Sequence, residues 1–411
     1  MNLKNMTSKN KLKLCFGWAL VWMCVLSSCD IKKNKDQNSP ESNFQKIYDH
    51  PHFIQNQKAL RVLQNAQTGE YVILSRLTSE ASNFGLIHLL KTDKSGNFIA
   101  EKVLGSELVA PLAQITSFNN GYLIFAMNAT TLETVMLQID QNLELTNTTS
   151  LAGTSYPLAV HSFGNGFLLQ YYNREDKQTV IAQVSSSGQL TNEQSFSVGS
   201  DPYDPEPRIL KHLTGMASPL PFDVNSFSGK IYFSGFFNYS FSGVFFNFGQ
   251  TGLPGVIQGY NDESGILTLE HLESGNFGIA HFSANQVAVN PKFSYNTNTI
   301  STVNNVGGYT LIDLNMESPI RCVKTSIDSK NILLFAGSTP NNYVTLYLYN
   351  ASSGQLIKNV NLGYGNKHKL SDLYFTQDGG AVLCGTTYVS GKLPRTFLYK
   401  YTAAQVKEWV Q

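Results

Sequence analysis

From about residue 56 onward the apolar positions come in short runs rich in Tyr, Phe, Ile, Leu and Val, separated by polar stretches of Gly, Asn, Ser and Asp. A turn followed by such a run recurs as Thr68-Gly69-Glu70-Tyr71-Val72-Ile73-Leu74, Asn120-Gly121-Tyr122-Leu123-Ile124-Phe125 and Asn165-Gly166-Phe167-Leu168-Leu169. It returns as Ser228-Gly229-Lys230-Ile231-Tyr232-Phe233, Ser274-Gly275-Asn276-Phe277-Gly278-Ile279, Lys330-Asn331-Ile332-Leu333-Leu334-Phe335 and Asp378-Gly379-Gly380-Ala381-Val382-Leu383, at intervals of roughly 45 to 63 residues. Gly or Asn supplies the positive φ of a tight hairpin, and the aromatic and branched residues that follow suit a buried strand. A second turn follows each first one by roughly 21 to 27 residues: Asp93-Lys94-Ser95-Gly96, Asp140-Gln141-Asn142, Ser186-Ser187-Gly188, Gln250-Thr251-Gly252, Thr297-Asn298, Ser352-Ser353-Gly354 and Thr402-Ala403-Ala404. Before it stands an apolar alternation such as Leu346-Tyr347-Leu348-Tyr349, and after it a short outer strand such as Gln355-Leu356-Ile357-Lys358 or Gln405-Val406-Lys407-Glu408-Trp409.

Two hairpins per repeat make four strands. Units of about 50 residues are too small to bury both faces alone, so they must stack face to face, and a closed ring leaves no face uncovered. The chain is therefore expected to be all-β: a β-propeller of four-stranded antiparallel blades, seven by this count, over residues 56–411. The fifth repeat is the weakest, Asn and Thr dominating after Phe293, which leaves counts of six and eight open, with a pair of β-sandwiches or a solenoid as the other architectures.

The N-terminus follows a different pattern. Lys4, Lys9, Lys11 and Lys13 precede an apolar stretch from Leu14 to Leu26, the length of a secretory signal rather than of a membrane span. It ends in Leu26-Ser27-Ser28-Cys29, which resembles the bacterial lipobox. The resemblance implies that residues 1–28 are removed and that Cys29 becomes the lipidated first residue. Each buried methylene contributes about 0.8 kcal/mol, so two or three acyl chains anchor firmly. Residues 29–55 read as a solvated tether, and the expected address is the bacterial cell envelope, outer membrane rather than inner. The segment after Cys29 resembles a Bacteroidota sorting signal but is lysine-rich where acidic pairs are usual, which leaves the choice between periplasmic and surface exposure open.

Composition narrows the function classes. Charged residues make up 14% of the chain and the net charge is +1, so no sequence-wide field exists to attract nucleic acid. Of five cysteines, Cys15 and Cys24 fall in the leader and Cys29 takes lipid; Cys322 and Cys384 lie in strand-like runs and read as unpaired small hydrophobes. The turn phrases, Asn120-Gly121-Tyr122 and Asp378-Gly379-Gly380 among them, resemble the propeller blades of Bacteroidota lipoproteins over roughly residues 56–411. That likeness bears on architecture and hardly at all on activity.

In such a ring the two turn sets share one face, and the connections between second and third strands, and between repeats, share the other. On this connector face Tyr172, Arg174, Tyr239, Tyr260, Tyr343 and Tyr364 form the expected ligand surface, tyrosine rings stacking on a partner while neighbouring amides read its polar groups. The longest connection, residues 201–208, holds Asp201, Asp204 and Glu206 among prolines, but lacks the spacing and glycine of a calcium loop and reads as a rigid insertion. His161 and His281 read as hydrogen-bonded core or shaft residues, since no His pair has metal-ligand spacing. No nucleophile elbow, phosphate loop or dinucleotide fingerprint occurs, so no catalytic residue, metal or cofactor is assigned.

The combined expectation is a binding or scaffold protein, joined to the membrane through its lipid and meeting a protein or glycan partner, rather than an enzyme. One alternative is a propeller glycosidase or lyase using Glu175, Asp176, Asp204 or Glu263, which would need two carboxyls within about 5 to 10 Å. Another is a structural part of an outer-membrane assembly or secretion machine, by similarity to the propeller lipoprotein of the β-barrel assembly complex. That family carries regular tryptophans, whereas here Trp18 and Trp22 lie in the leader and only Trp409 in the domain.

Overall fold

The computed structural model describes residues 43–48, 56–79, 82–215, 220–260, 263–273, 275–314, 316, 318–363, 365–389 and 393–411, all within one compact unit of residues 40–411. Cys29 and the leader lie outside the described residues. The described chain is all-β, with six sheets built mainly of consecutive antiparallel strands. Four sheets have four strands, one has five, and one has nine. The nine-stranded sheet consists of two four-strand meanders, Gln57–Val103 and Ile115–Ser155 at their outer limits, bridged by the two-residue strand Leu108–Val109.

Within each meander the strands differ in a way their sequences explain. Second strands such as Gly121–Asn128 and Lys230–Phe237 are buried almost end to end, because both faces meet a neighbouring sheet. Fourth strands such as Leu190–Ser197 and Leu356–Leu362 are largely exposed, matching their polar composition. Consecutive residues of a strand point to opposite faces, and here those faces belong to two different cores. Leu74 of the first meander packs with Ile124 of the second, and Leu123 of the second with Leu169 of the third. Leu168 joins Phe233, Tyr232 joins Ile279, Ala280 joins Leu333, and Leu334 joins Leu383. Finally Val382 of the last meander packs with Ile73 of the first. The row of sheets closes on itself, which is the arrangement of a β-propeller. Side chains stitch the closure: Ser371 Oγ donates to the Ala59 carbonyl at 2.6 Å, and the Val62 amide donates to Asp372 Oδ2 at 3.2 Å.

Three expectations need correction. Residues 405–409 are not an outer strand; Ala403–Glu408 form a short helix, α2 in chain order, capped by a reciprocal Thr402–Gln405 box. The outer position in the last sheet is taken by Phe44–Tyr48, a segment assigned above to the tether, paired antiparallel with Leu393–Tyr401. Its Phe44 ring lies over Gly96, where a Cβ would come within 2.5 Å of the ring, and Tyr48 Oη donates to the Gly96 carbonyl at 2.9 Å. In the fifth repeat, the strand after the Thr297-Asn298 turn, Ile300–Thr302, adds in parallel to Gly255–Gln258 of the fourth sheet, and two residues, Tyr309–Thr310, fill the outer place in its own.

The residue 201–208 insertion also does more than stiffen a connection. It leads into helix α1, Glu206–Thr214, with Pro in the first turn, Glu206 at the positive end, Lys211 and His212 at the negative end, and Gly215 at φ +70° as the C-cap. Ile209 and Leu213, four residues apart, bury one face in a core shared with Leu77 and Phe236, from strands of the first and fourth meanders, and with Tyr156 of the connection between the second and third. Among the described residues, no helix is long and apolar enough to cross a membrane.

Candidate functional site

The innermost strands define the site. In four of them the register slips by one residue at the equivalent place: Leu60 between Ala59 and Arg61, Leu158 between Pro157 and Ala159, Leu267 between Ile266 and Thr268, and Ser371 between Leu370 and Asp372. Such a bulge leaves one residue without a ladder partner and re-aims its side chain. All four of these residues line one cavity of about 530 Å³, together with residues near the start of every other innermost strand: Ala113 of the second meander, Phe222 and Asp223 of the fourth, and Ile320 and Arg321 of the sixth. The cavity is therefore the connector-side half of the central channel, and the end of α1 with the chain after it, His212, Gly215 and Leu220 to Phe222, forms part of its wall.

Its polar groups come from distant parts of the chain. Arg76 Nη1 donates to the His212 carbonyl at 2.9 Å and Lys58 Nζ to the Gly215 carbonyl at 2.7 Å, so two cations hold the negative end of α1. Room for Arg76 is built in: a Cβ on Gly85 would meet the Arg76 stem at 2.1 Å. Its Nε is buried without a protein partner. Lys58 is pushed down by burial and then by the charges of Arg76 and Lys369, and burial lowers Arg76 to about 10. Lys369 lies over the Tyr388 ring, 5.7 Å from its centre. His212 is held neutral: burial and the adjacent Arg76 lower it to about 3, and its Nδ1 accepts from the Leu220 amide at 3.0 Å.

Farther along the channel, alternation places Glu270 on the same face as Thr268 and brings His161, Asp223, Arg321 and Asp372 into one electrostatic group. Arg61 Nη1 lies 3.3 Å from Asp372 Oδ1, and Arg321 Nε donates to the Ser371 carbonyl at 2.8 Å. Burial raises Asp223, against the pull of His161 and Arg321, and the same burial lowers His161. Glu270 is raised to about 7, by burial first, with Lys324 opposing the rise and Asp223 adding to it. Among the described residues, no group of three His, Cys, Asp or Glu side chains is placed to hold a metal.

The residues expected to form the ligand surface are divided by the structure. Tyr172 is 1% exposed, stacked on Tyr156 at 6.4 Å in the core beneath α1, so its ring is not on the surface. Arg174 is exposed and pairs with Glu206 of α1 at 3.0 Å. Tyr239 sits at φ +66° in a two-residue turn, its hydroxyl 2.6 Å from Ser200 Oγ and its ring edge-to-face with Tyr203 at 5.7 Å. Tyr260 and Tyr343 are exposed, and Tyr364 lies outside the described residues. None of Glu175, Asp176, Asp204 or Glu263 lines the cavity; Asp204 instead accepts the Glu206 amide, and Asp176 an Asn173 side-chain bond. His281 Nε2 donates to the Gly307 carbonyl at 2.9 Å in a core position, while His161 faces the channel group. Cys322 and Cys384 are both free thiols, as expected, each raised well above its ordinary value by burial.

The cations Lys58, Arg76 and Lys369 carried no signal in the sequence, because 311 positions separate the first from the last and each looks like an ordinary strand lysine or arginine. Only Gly85, inside an apolar strand run, hinted at a close approach by another chain segment.

No protein-family model matches the chain, and no curated protein matches it in sequence. Among solved structures, it is similar to the β-propeller domain of the Trilobed protease from Pyrococcus furiosus, at 10% identity and TM-score 0.45 over 89% of this chain and 98% of that one. It is also similar to a protein of unknown function from Bacteroides caccae, at 12% identity and TM-score 0.36 over 85% and 91%. A putative 6-phosphogluconolactonase from Bacteroides uniformis matches at 14% identity and TM-score 0.42 over 83% and 95%. At these values the likenesses say nothing about activity, and the architecture rests on the strand pairing and the shared cores described above.

Proposed function

We propose that this protein is a seven-bladed propeller, anchored in the bacterial cell envelope through Cys29, that binds a glycan or protein partner on its connector face without catalysing a reaction. The blade count is supported by the consecutive four-strand meanders and by the cores shared between each pair, the two in the nine-stranded sheet counted separately. The anchor rests on the lipobox resemblance of Leu26-Ser27-Ser28-Cys29.

The observation that carries the binding reading is the company kept on one face. Tyr239, Tyr260 and Tyr343 are 45%, 68% and 40% exposed, all in connector-side turns, and the cavity lies on the same side of the ring. Rings already fixed by their own turns, as Tyr239 is by Ser200 and Tyr203, lose little entropy on binding. The test is a triple Tyr239→Ala, Tyr260→Ala, Tyr343→Ala variant of the full chain, assayed by affinity electrophoresis in envelope polysaccharide and by crosslinking to envelope proteins. Retention should fall by about tenfold or more. Unchanged retention and crosslinking would remove this face from the account. Cys29→Ala should release the protein from the membrane fraction and abolish palmitate labelling.

One observation favours an enzyme: the channel holds two carboxyls, Asp223 and Glu270, that burial keeps above their ordinary range. Glycan turnover by the full chain, lost in Glu270→Gln and in Asp223→Asn, would replace the binding reading with that one.

A further inference from the structure

We propose that Glu270 and Lys324 form a proton-operated switch in the seam between the fifth and sixth meanders. While Glu270 holds its proton, Lys324 pairs with Glu273 at the turn face; when Glu270 ionises, Lys324 turns inward to it and leaves Glu273 uncovered. The device lies toward the turn face, away from the connector-side tyrosines, and does not depend on the binding reading.

Strand register fixes where these groups meet. Glu270, on the innermost strand Ser264–His271 of the fifth meander, stands opposite Gly278 of the next strand, and residues so paired share one face of a sheet. That face looks at the sixth meander: a Cβ on Gly278 would come within 2.5 Å of Leu333, and Cys322 Sγ donates to the Gly278 carbonyl at 3.9 Å. The neighbouring Leu269 points the other way, into the core shared with Tyr232 and Ile257 of the fourth meander. On the facing strand Arg321–Ile327, Lys324 follows Cys322 by two residues and so lies on the same side.

One cation thus stands near two acids and serves one of them. Lys324 Nζ lies 3.4 Å from Glu273 Oε1, whereas the Glu270 carboxyl makes no hydrogen bond or ion pair with any described residue. Burial without a partner favours the neutral acid and raises Glu270 to about 7, with Lys324 opposing the rise and Asp223 of the fourth meander adding to it. The other titratable neighbours do not compete. Cys322 stays a thiol, raised well above its ordinary value by burial and then by Glu270. His271 is lowered by burial first and then by Lys324, while Glu273 pulls it up. Lys324 is left to answer the charge that appears when Glu270 ionises.

Its move is cheap. The Lys324–Glu273 pair is largely exposed on the glutamate side, and such pairs contribute little, whereas a pair within the seam is screened less by salt. Both side chains border a pocket of about 190 Å³ at the turn face, which gives the lysine room to turn. The consequence is electrical: a proton lost inside the seam shows as an uncovered carboxylate on the turn face.

Difference infrared spectroscopy of the full chain across a pH series tests this, Glu270→Gln identifying the protonated carboxyl band of Glu270. In the unaltered protein that band should disappear with a midpoint of about 7. Lys324→Met removes the answering charge and should raise the midpoint by about one unit, tenfold in proton affinity. Glu273→Gln frees Lys324 and should lower it by about half a unit, roughly threefold. Crystals of the unaltered protein at about pH 5.5 and about pH 8.5 should place Lys324 Nζ within about 4 Å of Glu273 in the first and of Glu270 in the second. No Glu270 band, a midpoint near the ordinary 4.5, a midpoint left unmoved by either variant, or Lys324 on Glu273 in both crystals overturns the proposal.

Discussion

Asp372 shows how much a single residue can hold. It is 2% exposed, pairs with Arg61, lies 3.8 Å from Arg321 Nε, and accepts the Val62 amide, so one carboxylate ties the last meander to the first and sixth. Removing one partner of a buried pair leaves charge uncompensated. Asp372→Ala is expected to cost about 3 kcal/mol in urea unfolding, toward the lower end of that class because Arg61 keeps some solvent. Glu270 acts in the opposite sense. Its folded value of about 7 stands above its ordinary 4.5, so between those values the folded state keeps a proton that the unfolded chain has released. Stability is therefore lost as pH rises from about 4.5 to 7. Glu270→Gln should melt higher than the unaltered protein at pH 8 and match it near pH 4.5; an equal difference at both values would show that burial of this carboxyl does not govern the effect.

At the scale of elements, the turns were legible and the ends were not. Asn119-Asn120, Ser228-Gly229 and Asp328-Ser329 all take positive φ at both turn positions, the conformation that makes Asn, Asp and Gly informative in a sequence. The strand Phe44–Tyr48 has a short alternating pattern, but its partner lies more than 340 residues away and nothing local reveals it. Helix α2 was legible and missed: Thr402 and Gln405 have the spacing of a capping box. Helix α1 was legible too, from the Ile209–Leu213 interval and the glycine after Thr214. Because Phe44 closes the last sheet over Gly96 and Tyr71, Phe44→Ala should lower stability by about 1–2 kcal/mol, below the cost of a fully buried phenylalanine because the ring is half-buried. A change within error would mean that the closing strand contributes pairing and no packing.

For the whole molecule, each core belongs to two neighbouring sheets, and the last shares one with the first, so no sheet can leave without opening two cores. Unfolding should be one cooperative transition. Trp409, packed on Tyr401 at 5.4 Å in the core between the sixth and last meanders, reports one sector, and far-UV circular dichroism reports all. In a Trp18→Phe, Trp22→Phe chain the two midpoints should coincide; separate midpoints would show sectors that open alone. The sequence by itself determined the class of fold and the place of most strands, because period-two apolar runs and turn residues with positive φ are local properties of the chain. It also determined that two thiols would stay apart, since each lies within its own apolar strand. Only the tertiary structure decided which segment closes the ring, which tyrosines stay outside, and that Lys58, Arg76 and Lys369 share a cavity. Those outcomes depend on register slips and on contacts between residues far apart in sequence, and neither leaves a period in the chain for a local pattern to show.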